Sequence, residues 1–152
     1  CWAQAAGAAG MVAGQSMDLS AENRQIALPE LEALHQHKTG ALIRASVRCG
    51  ALAAGANPTQ LAVLDRYAAA IGLAFQVQDD ILDIESSTEQ LGKQQGSDLS
   101  LNKSTYPSLL GLAVAKQHAK TLYDDAVAAL NDFGDKGMPL RELAHYIIAR
   151  QF

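Results

Sequence analysis

The chain has 152 residues, 49% of them hydrophobic and 5% aromatic, with a formal net charge of −4. This length suits one domain with a substantial core, and the acidic balance excludes a general affinity for nucleic acid. No apolar run reaches the roughly 18 residues of a membrane-spanning helix. Abundant alanine with few aromatic residues favours closely packed helices over sheets, so we predict an all-α fold.

The first residues give expectations about the whole protein. The segment beginning at Cys1 has neither an initiator Met nor the basic region of a signal peptide. We therefore expect residues 1–152 to be part of a longer polypeptide. The two cysteines, Cys1 and Cys49, indicate reduced thiols in a cytoplasmic protein, although a disulfide between them stays open.

Alanine and glycine dominate residues 2–17, which we predict to form one helix that ends at the segment 14–18. After a polar connection, Pro29 marks the start of the next helix, because proline suits the first helical turn. His35 and His37 lie in this helix. Residues two apart do not share a helix face and no cysteine lies nearby, so we reject a zinc site.

The next predicted helix spans residues 38–55 and is rich in apolar and small residues apart from Lys38 and two arginines. A lysine in such a helix needs an anionic partner. The alternative is that its long side chain reaches solvent. Arg44 and Arg48, four residues apart, indicate a surface or interface stripe.

The following helix is predicted over residues 60–85, with Thr59 as its cap. At about 100° per residue, the polar residues of its second half share one arc of roughly 100°: Gln76, Asp79, Asp80 and Asp83. Apolar residues fill much of the rest, which is typical of a buried helix. Gly72 lies on the same arc and leaves room for a ligand or for another helix.

Three clustered carboxylates on a buried helix require a compensating charge. Like charges four residues apart destabilise a helix by roughly 0.2–0.5 kcal/mol, and acids near a helix C-terminus oppose its dipole. Mg²⁺ takes oxygen ligands and is often shared with substrate phosphates. We therefore predict a Mg²⁺ site at Asp79, Asp80 and Asp83; the alternative is a solvated acidic edge.

A loop is predicted over residues 86–106, and it contains Lys93, Asp98 and Lys103. Lysines act as point charges on phosphate oxygens, so a basic loop after an acidic helix suits phosphate binding. The loop lacks the P-loop pattern, and a solvated loop is the alternative. Two further helices are predicted, over 107–130 and 139–150, with a loop at 131–138 between them. The acidic pair Asp124-Asp125 in the first of these helices is assigned to the surface.

The segment Phe75-Gln76-Val77-Gln78-Asp79-Asp80-Ile81-Leu82-Asp83 closely resembles the second aspartate-rich motif of the trans-prenyltransferases, the farnesyl diphosphate synthase family. Lys38-Thr39-Gly40, the loop lysines and the tail segment Tyr146-Ile147-Ile148-Ala149-Arg150 resemble the same family, although Asn102 stands where the family commonly has Gly. The resemblance covers almost the whole chain but only the C-terminal half of such an enzyme. It implies an isoprenoid synthase-type helical bundle that is cytoplasmic and homodimeric.

The resemblance implies a role for each matching residue. Asp79 is expected to bind Mg²⁺ directly, and Asp80 and Asp83 mainly through metal-bound waters. The other residues would hold diphosphate oxygens (Lys38, Lys93 and Lys103), place dipoles beside a developing carbocation (Thr39 and Gln76), lie near the homoallylic substrate (Phe75) or approach the site (Gln15, Asp18 and Asp98).

Enzymes of this family join an allylic diphosphate, dimethylallyl or geranyl, to isopentenyl diphosphate by Mg²⁺-assisted ionisation, giving farnesyl diphosphate and pyrophosphate. This chain has no first aspartate-rich motif and no upstream basic pocket, so we expect that it does not catalyse condensation alone. A longer-chain synthase of the geranylgeranyl or octaprenyl type shares these motifs and is the first alternative. A non-catalytic helical partner subunit is the second, and a terpene cyclase fits the lysine loop less well.

Overall fold

The computed structural model describes residues 1–91 and 104–150, and every regular element in these ranges is helical. This confirms the predicted all-α class. None of the described helices is long and apolar enough to cross a membrane. The elements in chain order are α1 (Trp2–Ala6), α2 (Met11–Ala21), α3 (Leu28–His35), a π-helical turn (Gln36–Gly40), α4 (Ala41–Ala53), α5 (Pro58–Leu91), α6 (Tyr106–Leu110), α7 (Leu112–Ala129), a 3₁₀ turn (Asn131–Gly137) and α8 (Met138–Ala149).

The long helix α5 lies at the centre of the fold and packs most extensively against α7, with further contacts to α4 and α8. One stripe of α5 is almost fully buried, and its members are three or four residues apart, which places them on one helix face: Tyr67, Ile71, Ala74, Val77 and Ile81. Burying a side chain as large as Ile contributes roughly 1.5–3 kcal/mol. This stripe fixes the rotation of α5 about its axis, and with it the direction of the polar residues in between.

Helix α5 begins at Pro58, so the prediction that Thr59 is its cap is wrong. Asn57 is the capping residue: its Oδ1 accepts a hydrogen bond from the Gln60 N–H at 2.9 Å, and Gln60 Oε1 accepts one from the Asn57 N–H at 2.9 Å. This reciprocal pair satisfies two backbone donors at the helix start. The helix also continues to Leu91, so the first residues of the predicted loop are helical.

Two segments predicted as single helices are each divided at glycines. In 2–17, a Cβ added to Gly10 would lie 2.0 Å from the Ala5 carbonyl oxygen, so the chain turns back too closely for any other residue. Helix α2 then continues through positions 14–18 to Ala21, so that segment does not end the helix. In 107–130, Gly111 has a φ of 83°, in the left-handed region that favours glycine.

The π-helical turn Gln36–Gly40 packs between α2 and α5. On the α2 side, a Cβ added to Gly14 would lie 2.1 Å from the backbone nitrogen of Lys38. On the α5 side, a Cβ on Gly72 would lie 3.4 Å from the Gly40 Cα. The space beside Gly72 is therefore taken by the π-helical turn. Gly14 lets α2 approach this turn, which contains Lys38 and Thr39, and Gly72 lets α5 approach it.

Candidate active site

Asp79, the first aspartate of the motif, is held by two side chains. Its Oδ1 forms an ion pair with Arg150, and its Oδ2 accepts a hydrogen bond from Gln76 Nε2 at 3.2 Å. The Arg150 guanidinium also lies 4.3 Å from the centre of the Phe75 ring and donates to the Phe75 carbonyl at 3.3 Å. The guanidinium is 14% exposed and the Asp79 carboxylate 39%, so this ion pair is partly screened by solvent.

The other two aspartates of the motif have different surroundings. Asp80 is half-buried, and its Oδ2 accepts a hydrogen bond at 2.9 Å from the Tyr106 N–H, at the start of α6. Asp83 is exposed. Burial, followed by the nearby Glu32 and Asp80 charges, raises the pKa of the Tyr106 phenol, so this ring stays neutral beside the acidic helix.

Lys38 has an anionic partner within the chain, as a half-buried lysine requires. Its Nζ donates to Asp18 Oδ2 at 2.7 Å, which links the π-helical turn to α2. The lysine side chain is 34% exposed and the aspartate 17%. Asp18, one of the three residues expected only to approach the site, therefore contacts a predicted diphosphate-binding lysine directly.

A polar cavity of about 190 Å³ lies between the π-helical turn and the end of α5. Its charged lining comprises four carboxylates and one ammonium, those of Asp18, Glu22, Asp80, Asp83 and Lys38. The excess of negative charge gives this cavity a potential that favours a cation. Asp79 faces Arg150 instead and does not line the cavity.

A second cavity, of about 460 Å³, lies on the other side of Lys38. Apart from Lys38, Thr39, Gln15 and Ser16, its lining is apolar: Met11, Val12 and Leu19. All three apolar side chains are at least 37% exposed. Lys38 thus lies at the junction of an acidic cavity and an apolar one, and the predicted site residues Thr39 and Gln15 are on the apolar side.

The residues of the motif fit Mg²⁺ in their chemistry. All the donors are hard carboxylate oxygens, and two of the three lie on one cavity with excess negative charge. Within residues 1–91 and 104–150, no three His, Cys, Asp or Glu side chains form a ready-made metal cluster. In proteins, Mg²⁺ usually keeps several waters and takes further oxygens from a phosphate ligand.

Three predicted site residues, Lys93, Asp98 and Lys103, lie outside the residues that the structure describes. Arg150 and His35 are among the residues of the site that the sequence does not predict. Arg150 is 71 residues from Asp79, and nothing in the local sequence indicates the pair. His35 was considered only as a zinc ligand, whereas its Nδ1 lies 2.8 Å from Gln76 Oε1.

Comparison with known proteins shows the family of the chain. The family model described as polyprenyl synthetase matches residues 4–137. The chain belongs to this family. It is 54% identical over 152 residues to farnesyl diphosphate synthase of Escherichia coli (strain K12), an alignment that covers 97% of this chain and 51% of that protein. The predicted family resemblance is therefore confirmed.

Solved structures share the fold. An FPP/GFPP synthase from Zymomonas mobilis matches with a TM-score of 0.82 and 38% identity, over 96% of this chain and 48% of that one. A geranyltransferase from Helicobacter pylori, complexed with magnesium and isoprenyl diphosphate, matches with a TM-score of 0.75 and 33% identity, over 95% and 48%. The chain spans about half the length of the curated relatives it matches.

Proposed function

We propose that this chain is the C-terminal half of a prenyltransferase that joins dimethylallyl or geranyl diphosphate to isopentenyl diphosphate, giving farnesyl diphosphate and pyrophosphate. The observation that supports it best is the position of Lys38 between an acidic cavity and an apolar cavity. An allylic diphosphate has a matching division: its anionic head would enter the acidic cavity together with Mg²⁺, and its hydrocarbon tail would lie in the apolar cavity. The lysine would then lie at the bond that breaks between them.

The reaction needs a stabilised leaving group and a protected cation. The allylic C–O bond breaks, its electron pair leaves with pyrophosphate, and the double bond of isopentenyl diphosphate attacks the resulting carbocation. Lys38 would neutralise diphosphate oxygens, with Lys93 and Lys103 in the same role. Thr39 and Gln76 would place dipoles beside the cation, and the apolar lining, once covered by the rest of the protein, would exclude water. Pyrophosphate can take the final proton, so no side chain need act as the base.

The proposed cofactor is Mg²⁺, which would be held by Asp79, Asp80 and Asp83. When bound, it supplies positive charge to the leaving pyrophosphate. The relative that was solved with magnesium and isoprenyl diphosphate supports this assignment. Asp18 would orient Lys38, because its carboxylate already holds the lysine Nζ.

The proposal extends to the whole protein. Its other half would supply the first aspartate-rich motif and the pocket for isopentenyl diphosphate, so residues 1–152 alone would not turn over. Both cysteines are free thiols, which supports a cytoplasmic location, and the family resemblance supports a homodimer.

The experiment is a calorimetric titration of the chain with pyrophosphate, with and without Mg²⁺. We expect binding that requires Mg²⁺ and that weakens at least about tenfold in an Asp80→Asn, Asp83→Asn variant, as for the loss of charge-assisted contacts. The matched control is Asp124→Asn, Asp125→Asn, an acidic pair on α7 that lines neither the acidic cavity nor the apolar cavity, and this variant should bind as the wild type does. Pyrophosphate binding that ignores Mg²⁺, or equal loss in both variants, would contradict the proposal.

A longer-chain synthase is the second candidate, because one structural relative is described as an FPP/GFPP synthase. Both candidates share the charged half of the site and differ in the space available to the hydrocarbon. Product analysis of the full-length protein distinguishes them. A helical subunit without catalysis would show no Mg²⁺-dependent pyrophosphate binding in the titration above.

A further inference from the structure

The Gln76 side-chain amide lies between His35 and Asp79. Its Nε2 is 3.2 Å from Asp79 Oδ2, and its Oε1 is 2.8 Å from His35 Nδ1. A carboxylate only accepts hydrogen bonds, so the amide must present its NH₂ group to Asp79 and its oxygen to the imidazole. His35 must therefore donate, which requires the proton on Nδ1.

The imidazole is held in this orientation from its other side. It stacks on Tyr106, with ring centres 5.6 Å apart and planes 24° apart. Its Nε2 is buried and has no hydrogen-bond partner among the described residues. Leaving Nε2 without a partner costs less free energy when it carries a lone pair than when it is the buried N–H of a charged ring. In agreement, burial lowers the pKa of His35, which favours the neutral ring. The backbone N–H of the same Tyr106 donates to Asp80.

We propose that His35 is a positioning residue: its Nδ1–H fixes the orientation of the Gln76 amide, which in turn holds the Asp79 carboxylate for its ligand. Without this donor, the amide can rotate and present its oxygen to Asp79, which repels the carboxylate. The inference rests on the proposed function in one respect, since it takes Asp79 to bind a metal–diphosphate ligand.

The first test needs neither metal nor diphosphate. Long-range ¹H–¹⁵N spectra of the chain at pH 7.5 should show His35 protonated at Nδ1 and not at Nε2. His37 is an internal comparison, because its Nδ1 donates to the Ala33 carbonyl at 2.8 Å. A His35 protonated at Nε2 only would overturn the proposal, whatever the chain binds.

The second test measures Mg²⁺-dependent pyrophosphate affinity by calorimetry. We expect His35→Ala to weaken it about tenfold, as for one lost hydrogen bond that orders a charged group. His35→Asn, which places an amide N–H near the Nδ1 position, should restore it to within about threefold of wild type, and His37→Ala should leave it unchanged. In a Gln76→Leu background, His35→Ala should have no further effect.

The outcomes separate the two proposals. Equal affinity of wild type and His35→Ala, or equal weakening by His35→Asn and His35→Ala, would overturn the role of the donor and leave the metal–diphosphate site intact. Absence of any Mg²⁺-dependent binding by the wild type would instead overturn the proposed function, while the imidazole spectra would still decide whether His35 orients Gln76.

Discussion

Gly14 offers a sharp test of the packing that places Lys38. A Cβ added at this position would lie 2.1 Å from the Lys38 backbone nitrogen, 2.4 Å from its Cα and 2.7 Å from its Cβ. Two of these three atoms belong to the backbone, so no side-chain rotation relieves the contact. Gly14→Ala must therefore push α2 and the π-helical turn apart by roughly 1 Å to reach ordinary contact distance.

The expected change in the free energy of unfolding is the difference between two opposing effects. Alanine gains about 0.5–1 kcal/mol over glycine within a helix, whereas overpacking costs about 1–3 kcal/mol, and a backbone clash belongs at the upper end. We therefore expect Gly14→Ala to lower the free energy of unfolding by about 2 kcal/mol, or Tm by about 4–8 °C. The matched control is Gly50→Ala in α4, where nothing lies within 4 Å of the added Cβ. It should stabilise the chain by about 0.5–1 kcal/mol.

Urea unfolding followed by circular dichroism measures both variants. We expect Gly14→Ala to lower the free energy of unfolding and Gly50→Ala to raise it, although both replace a helical glycine with alanine. Because Lys38 moves with the turn, Gly14→Ala should also weaken Mg²⁺-dependent pyrophosphate binding, and Gly50→Ala should not. If Gly14→Ala stabilises the chain as Gly50→Ala does, then α2 does not contact the Lys38 turn as described.

Three further results are expected. Tyr67→Phe removes the hydrogen bond from a fully buried phenol to the Leu140 carbonyl at 2.8 Å. It should lower the free energy of unfolding, measured in urea, by about 1–2 kcal/mol. An unchanged unfolding midpoint would argue against the α5–α8 contact. Burial lowers the pKa of His35 below 6.5, so the folded state binds fewer protons than the unfolded state, and stability should fall as pH drops below about 6.5. His35→Asn should reduce that loss, and an identical pH profile would contradict it. Asp80→Ala should destabilise the chain by about 1 kcal/mol, because the Tyr106 N–H loses its acceptor, whereas Asp80→Asn keeps an acceptor and should have a smaller effect.

The local sequence predicts the helices that are marked by apolar periodicity or by a proline near their start. The apolar periodicity of α5, the proline that opens α3 and the scarcity of aromatic residues were enough for the fold class. The run of alanine and glycine at 2–17 predicts one helix where the structure has two, because the apolar periodicity is the same in both cases. Only the close approach at Gly10 distinguishes these cases, and that approach is three-dimensional.

The residue types of the site indicate its chemistry, and their shared role in binding stays a prediction. Clustered aspartates and a lysine in an apolar helix are compatible with a charged ligand, but a solvated acidic edge and a lysine that reaches solvent give the same pattern. The partners that hold them are distant in sequence: Arg150 for Asp79 and Asp18 for Lys38. The sequence indicates a histidine only as a candidate metal ligand, whereas the contact of His35 with Gln76, 41 residues away, has no local signature.

The central claim is that these residues form the metal–diphosphate half of a prenyltransferase site. The most direct measurement is turnover of geranyl and isopentenyl diphosphates by a chimera, in which this chain replaces the matching half of the Escherichia coli relative, 54% identical to it. We predict Mg²⁺-dependent formation of farnesyl diphosphate by the chimera, its loss in Asp79→Ala, and no product from residues 1–152 alone. A folded chimera without turnover, or robust turnover by the chain alone, would contradict the account.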